Sequence, residues 1–316
     1  MNPSRRSLLA LALTAVAGAS QAQPATLKII VPFPAGGVTD QAARIIGEKM
    51  GQQLGLPAII DNRPGAGGRI GIDAVAKAPA DGNTLLFTNS SYSILPVIDA
   101  RLPYDITKVL APVGISATYS LQMVTRSNLP VNSLPEFVAY AKKNPGKLSY
   151  GSAGVGSGAN FAGEFFKSLT GTYLVHIPYK STSAALNDVA GGLLDLAFDG
   201  AAKPLIDAGR VKLLATTGEK RDPRFASTPT AVEAGLKGFV QQSWAGLLAP
   251  AATPPAAMDK LSKAALAAAS DPAVQKRLAE LGLAAQGGTP AAMGAAIRDE
   301  LVLYRGIATK AKLQFD

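Results

Sequence analysis

Short apolar runs alternate with helix-spaced apolar positions along most of this chain. Ile29, Ile30 and Val31 form the first run, which reads as a buried strand; Pro32 and Pro34 then end ladder pairing, and Gly36-Gly37 frees the backbone to turn. Ala42, Ile45, Ile46 and Met50 follow at helical spacing, with Arg44, Glu48 and Lys49 on other faces. The pattern repeats: a strand at 58–61, a glycine-rich turn from Arg63 to Gly71, a helix at 72–78, and a strand at 84–88 leading into the polar loop 89–93. Strand and helix signals in this alternation predict a parallel α/β sheet, whose ligands collect at the carboxyl ends of its strands.

Val113 to Thr125 breaks the rhythm, since it has no turn residue after Gly114 and is long enough to leave one domain for another. A second series follows: a helix at 133–143, a strand at 148–150, the exposed loop 151–160, a helix at 161–169, a strand at 175–179, a helix from Ala184, and strands at 193–199 and 211–216. Residues 220–230 read as a surface loop, and Phe239 to Leu248 as a segment crossing back. Ala/Leu-rich helices are expected over 256–283 and 290–312, joined by the loop 286–290. Two crossings and two α/β series describe a hinged protein of two lobes, one from 23–121 plus 243–316 and the other from 122–242. The two series also echo each other, because Val31-Pro32-Phe33 and Ile177-Pro178-Tyr179 each end a strand before a small-residue loop and a helix.

Residues 1–22 have the form of an export leader. Arg5-Arg6 precede an apolar stretch from Leu8 to Ala17, too short to span a bilayer, and Ser20-Gln21-Ala22 offers a small-x-small cleavage site. The reading is a periplasmic protein that begins near Gln23, exported by the Sec route in preference to the twin-arginine route. The formal charge of +9 includes Arg5 and Arg6, and the remaining excess is dispersed; no basic run is interleaved with aromatics, which argues against nucleic acid as a partner. There is no Cys and one His, so thiolate chemistry is excluded and His/Cys metal sites are not expected. Ser157 lacks the Gly-x-Ser-x-Gly surroundings of a nucleophile elbow, and a carboxylate pair such as Asp40 with Asp199 would be an odd acid–base couple in an anion site. Catalysis is therefore the minor reading, and no cofactor is expected.

The loop 33–37 places little side chain between its backbone and a visitor. N–H groups at a helix start carry partial positive charge and lack intrahelical partners, so this turn suits a carboxylate or phosphate; an ordinary tight βα turn is the alternative. For Asp40, charge–dipole stabilisation in the first helical turn is favoured over ligand contact. His176 reads as a hydrogen-bonded interior residue, and Trp244 as packing at the return crossing.

With these residues in view, the chain resembles the Bug-type receptors, extracytoplasmic solute-binding proteins of tripartite tricarboxylate transporters. The resemblance rests on Val31-Pro-Phe-Pro-Ala-Gly-Gly37 with Asp40, Asn62-Arg-Pro-Gly-Ala-Gly-Gly68 with Gly71, Asp81-Gly82 and Leu102-Pro-Tyr-Asp105. It continues through Tyr150-Gly-Ser152, His176-Ile-Pro-Tyr-Lys180, Glu233-Ala-Gly235 and Trp244 with Gly246-Leu-Leu-Ala-Pro250. It implies a type II periplasmic binding protein, monomeric, that closes on a small carboxylate (a di- or tricarboxylate, an acidic amino acid or an aromatic acid) and delivers it to membrane permease subunits. It further implies that Phe33, Ala35, Gly36, Gly37 and Asp40 from the first loop, with Ser152, Gly154, Gly156 and Ser157 from the second, hold the ligand. Tyr179 and Asp199 would line the far wall. The chain departs from the family at Asn160, where His is frequent, and at Gly200, where Asn is frequent; both positions bear on the distal end of the ligand. A receptor that presents its closed form to a sensor kinase stays open as a second reading.

Overall fold

The computed structural model describes residues 25–99 and 102–311. The expected leader and its cleavage site near Ala22 lie outside the described residues. The chain begins with β1 (Leu27–Val31), α1 (Val38–Leu54), β2 (Ala58–Asn62), α2 (Arg69–Ala76), β3 (Thr84–Asn89), α3 (Ser91–Ile98), α4 (Ile106–Val109) and β4 (Leu110–Ser120). It continues with β5 (Gln122–Arg126), α5 (Leu134–Lys143), β6 (Ser149–Ser152), α6 (Gly158–Thr170), β7 (Val175–Pro178), α7 (Thr182–Ala190), β8 (Leu196–Asp199), α8 (Lys203–Asp207) and β9 (Val211–Thr216). It closes with β10 (Gln242–Pro250), α9 (Pro255–Ser270), α10 (Pro272–Glu280), β11 (Ala284–Ala285) and α11 (Pro290–Ala311).

The strands form two mixed sheets, ordered β11-β4-β10-β3-β1-β2 and β7-β6-β8-β5-β9. In the first, β1 pairs in parallel with β2 and β3, and β10 runs antiparallel to β3 and β4. In the second, β6 pairs in parallel with β7 and β8, and β5 runs antiparallel to β8 and β9. Period-two alternation sends side chains of the first sheet to opposite cores. Ile29, Val31, Leu85, Phe87 and Leu247 pack with α1 and α9, whereas Ile30, Leu86, Trp244 and Leu248 pack with Ile72 of α2 and Met293 and Ile297 of α11. The second sheet buries Met123, Leu196 and Phe198 against Phe137 of α5 and Phe166 of α6, and Val124, Ala197 and Val211 against Leu186 and Val189 of α7.

Two local expectations, the loop over 89–93 and the unbroken helix over 256–283, differ from what is seen. Residues 91–98 are helical, because Tyr92, Ile94 and Leu95 are almost fully buried and that packing outweighs Pro96 within the helix. The long segment 113–125 is two strands in different sheets, with Leu121 between them. The helix expected over 256–283 is broken: Asp271 takes the N–H groups of Ala273 and Val274 and, with Pro272, starts a new helix that ends at Glu280.

The passages between the sheets meet at Thr217, which is fully buried. Its hydroxyl accepts the Leu121 N–H at 2.9 Å and donates to the Gln241 carbonyl at 2.6 Å. Its own N–H donates to the Leu121 carbonyl, and its carbonyl accepts the Gln241 N–H. Away from these passages, α11 bridges the sheets' flanking helices: Phe161 of α6 and Tyr304 of α11 meet edge to face at 5.1 Å, in an apolar cluster with Ile94 and Ile307.

Candidate functional site: two glycine loops at the strand ends

β1 delivers the chain to Pro32–Gly37. Gly36 has φ of +84°, a left-handed conformation that suits glycine and lets the chain double back before α1. The N-cap position of α1 is Gly37, which has no side chain to offer, so no side chain caps this helix start. Val38, Thr39 and Asp40 are the next residues in the helix, where N–H groups have no intrahelical acceptor.

Asp40 is buried, and both its oxygens are engaged within the lobe. Oδ2 accepts the Gly36 N–H at 2.8 Å and Arg44 Nε at 3.1 Å; Oδ1 accepts Arg44 Nη2 at 3.0 Å and Asn62 Nδ2 at 2.9 Å. Burial opposes ionisation of Asp40, but the hydrogen bonds from Arg44, Gly36 and Asn62 outweigh it and hold the carboxyl below its ordinary value. Asn62 also reaches the Phe33 carbonyl, so the end of β2 braces the first loop. Thr39 Oγ1 accepts from Asn89 Nδ2, which adds the end of β3.

The second loop follows β6 and is braced in the same manner from different residues. Ser157 N-caps α6: its Oγ accepts the Asn160 N–H at 3.2 Å and donates to the Gly154 carbonyl at 2.8 Å. Asn160 Oδ1 accepts the Gly156 N–H at 3.1 Å, and its Nδ2 donates to the Tyr150 hydroxyl at 2.9 Å. Tyr150 donates in turn to Glu164 at 2.6 Å, and Lys167 pairs with Glu164 at 2.8 Å. Burial and the Glu164 carboxylate push the Tyr150 phenol far above its ordinary value, so it acts as a fixed donor. Ser152, fully buried, takes the Gly154 N–H on its Oγ and stands 2.6 Å from His176 Nε2; the His176 ring stacks on Tyr150, and burial depresses its basicity.

The remaining candidates fall at the neighbouring strand ends. The Tyr179 hydroxyl donates to Asp188 of α7 at 2.7 Å, and burial with that carboxylate pushes it up to about 12. Asp199 ends β8, is buried, and accepts the Ala201 N–H at 2.6 Å. Gly200 lies against the Tyr119 ring. Ile98 of α3 lies between the second loop and the glycine-rich turn after β2: a Cβ on Gly156 would stand 2.5 Å from Ile98 Cδ1, and one on Gly67 would stand 3.7 Å from the same atom.

Several cations near these strand ends already have partners: Arg44 with Asp40, Arg63 with Asp61, Arg69 with Asp99, and Lys203 with Asp207. Loops 33–37 and 152–157 contain no Lys or Arg. Among the described residues, no cluster of three or more His, Asp or Glu side chains is placed to hold a metal ion. Trp244 takes the interior place expected of it, donating its indole N–H to Glu300 at 2.9 Å, whereas His176 is hydrogen-bonded to Ser152 but only partly buried. The bracing by Asn89 has no sequence signal, because it acts on Thr39, 50 residues away along the chain; Tyr150 and Glu164 flank the loop they brace, but nothing in their spacing marks the bond between them.

Two α/β sheets, linked at a hydrogen-bonded crossing and each presenting a glycine loop at its parallel strand ends, define the periplasmic solute-binding fold. The tripartite tricarboxylate transporter receptor family matches residues 42–310, and the chain belongs to that family. Among solved structures, the periplasmic binding protein BugD is 33% identical with a TM-score of 0.81, covering 92% of this chain and 99% of its own. Rpa4515 from R. palustris, solved with adipate, is 32% identical with a TM-score of 0.83, covering 92% and 98%. MatC (Rpa3494) from Rhodopseudomonas palustris, with bound malate, is 30% identical with a TM-score of 0.79, covering 89% and 98%. BugD is a periplasmic binding protein, and the chain shares the fold of all three.

Proposed function

We propose that this chain captures a small carboxylate between its two lobes and presents it to the membrane permease subunits of a tripartite transporter. The observation that carries the reading is the start of α1, capped by no side chain, at a loop where the nearby Arg44 is already paired. A carboxylate there would meet the N–H groups of Gly37, Val38 and Thr39, against the positive end of the helix. Phe33 and Ala35 would flank it, and Gly36 and Asp40 would hold the loop's shape. From the other lobe, Ser152, Gly154, Gly156 and Ser157 would close over it, with Asn160 fixing that loop and Tyr179 and Asp199 forming the far wall. The adipate and malate complexes of its relatives support a carboxylate ligand.

In this reading residues 23–121 and 243–316 form one lobe and 122–242 the other, the protein works as a periplasmic monomer, and it catalyses nothing. A thermal-shift series with mono-, di- and tricarboxylates tests it. A ligand at a hundred times its Kd stabilises the native state by about 2.7 kcal/mol. A series in which no carboxylate raises the melting temperature would overturn the proposal. Uptake into vesicles that contain the permease then tests delivery: it should depend on added receptor, and uptake unchanged without receptor would reject the transport role.

A further inference from the structure

Pairing between β6 and β7 ends at Ser152 and Pro178, where proline has no N–H to donate. The Ser152 carbonyl instead accepts the Tyr179 N–H at 2.8 Å. The Ser152 side chain shares a face of the sheet with Tyr150, and His176 stands opposite Tyr150 across the pair. That register brings the imidazole to the hydroxyl: Nε2 lies 2.6 Å from Ser152 Oγ while the ring stacks on Tyr150.

The single hydroxyl proton of Ser152 has two acceptors within reach. Ser152 Oγ accepts the Gly154 N–H at 3.1 Å, with His176 Nε2 at 2.6 Å and the Gly154 carbonyl at 3.1 Å as places to donate. That carbonyl already receives the Ser157 hydroxyl at 2.8 Å and the Ser157 N–H at 3.2 Å. Nε2 is the shorter contact, and the ring is kept neutral: burial and Lys167 of α6 lower its basicity, against an opposing pull from Glu164. The proton therefore goes to Nε2, and the imidazole carries its own on Nδ1. Ser152 is fully buried, so what it does for the loop passes through Gly154, which has φ of +98° and begins the turn toward Gly156 and Ser157.

We infer that His176 is a positioning residue of the carboxylate site: as an acceptor it fixes the direction of the Ser152 hydroxyl, which leaves the Ser152 oxygen to hold Gly154 and the second loop in place. The inference rests on the carboxylate reading of the cleft.

The tautomer is tested first. His176 is the one histidine in the chain, so the ring-nitrogen NMR signals of an untagged, histidine-labelled sample need no assignment. At about pH 7, Nε2 should appear as the unprotonated, accepting nitrogen and Nδ1 as the protonated one. The opposite tautomer would overturn the inference whatever the cleft binds.

Calorimetric titration with malate, adipate and citrate gives the second readout. His176→Phe keeps a ring to stack on Tyr150 and removes the acceptor. It should weaken the carboxylate that binds by about fivefold or more, the worth of one hydrogen bond. Ser152→Ala should cost about as much, and the double variant no more than either single change. His176→Gln places an amide oxygen near the Nε2 position and should recover most of the affinity, which a packing role would not predict. If wild type binds, three results reject the positioning role and leave the carboxylate reading standing: equal binding by His176→Phe, losses that add in the double variant, or no recovery in His176→Gln. No heat from wild type with any of the three acids at millimolar concentration would overturn both.

Discussion

Asp40 and Asn160 hold matching positions in the two lobes: each follows a left-handed glycine by four residues and accepts that glycine's N–H, from Gly36 at 2.8 Å and Gly156 at 3.1 Å. Helix geometry brings the side chain back over the turn before it, so one residue fixes the whole loop. The lobes differ in charge. Asp40 is anionic and joined to Arg44 and Asn62, whereas Asn160 is neutral and joined to Tyr150.

Asp40→Asn should lower stability at neutral pH by about 1–3 kcal/mol, through the lost hydrogen bonds to a charged acceptor. Arg44 is half exposed, so the ion pair itself adds little. The folded carboxyl titrates below its unfolded value, so its stabilisation is present above about pH 4 and is lost as pH falls through the folded value. Denaturant titrations at about pH 7 and pH 3 check the sign: the gap between wild type and variant should shrink in acid, and a gap that widened would contradict it.

Gly156→Val and Gly36→Val should each abolish carboxylate binding. The first drives a side chain into Ile98, and both force a branched residue to positive φ. Lys180→Ala removes an exposed cation outside both loops and should change affinity by less than about threefold, as expected for a surface charge. Calorimetry on the three variants ranks them; a larger loss from Lys180→Ala would replace the backbone cradle with a salt bridge.

The strand–loop–helix units were legible because their apolar periods switch from two to 3.6 at Pro/Gly punctuation, as at Val31–Gly37. The Asp271-Pro272 break was equally legible in principle, since an N-cap acid followed by proline starts a helix; an Ala/Leu-rich surround obscured it. α3 was not legible, because Ser90, Ser91, Ser93 and Pro96 read locally as loop and only tertiary burial of Tyr92, Ile94 and Leu95 makes them helical. For Asp40 the dipole role was visible from its place in the first turn. Its bond to Asn62 was not, because the partner is 22 residues away.

Glu300→Gln should stabilise the protein in alkaline buffer. A carboxyl whose folded pKa is raised to about 7 destabilises the native state as pH rises from its unfolded value through the folded one. The variant's advantage should therefore appear between about pH 4.5 and 7 and persist above. Melting curves at about pH 4 and pH 8 check this; equal differences at both would show that Glu300 titrates normally.

Small-angle scattering should show a smaller radius of gyration when the cleft ligand is added, as the lobes rotate about the passages at Leu121 and Gln241. An unchanged radius at saturation would argue for a rigid receptor.

The cluster of Ile94, Phe161, Tyr304 and Ile307 sets how such a rotation proceeds. Apolar contact has no preferred direction, and its strength depends mainly on the area kept out of water. A helix surface of this kind would work as a bearing in that rotation, with α6 sliding over α11 by small rotamer adjustments that keep apolar area out of water. A lattice of hydrogen bonds at the same place would lock the lobes at one angle. Greasing that joint with aliphatic and aromatic carbon leaves the angle to be set by whatever occupies the cleft.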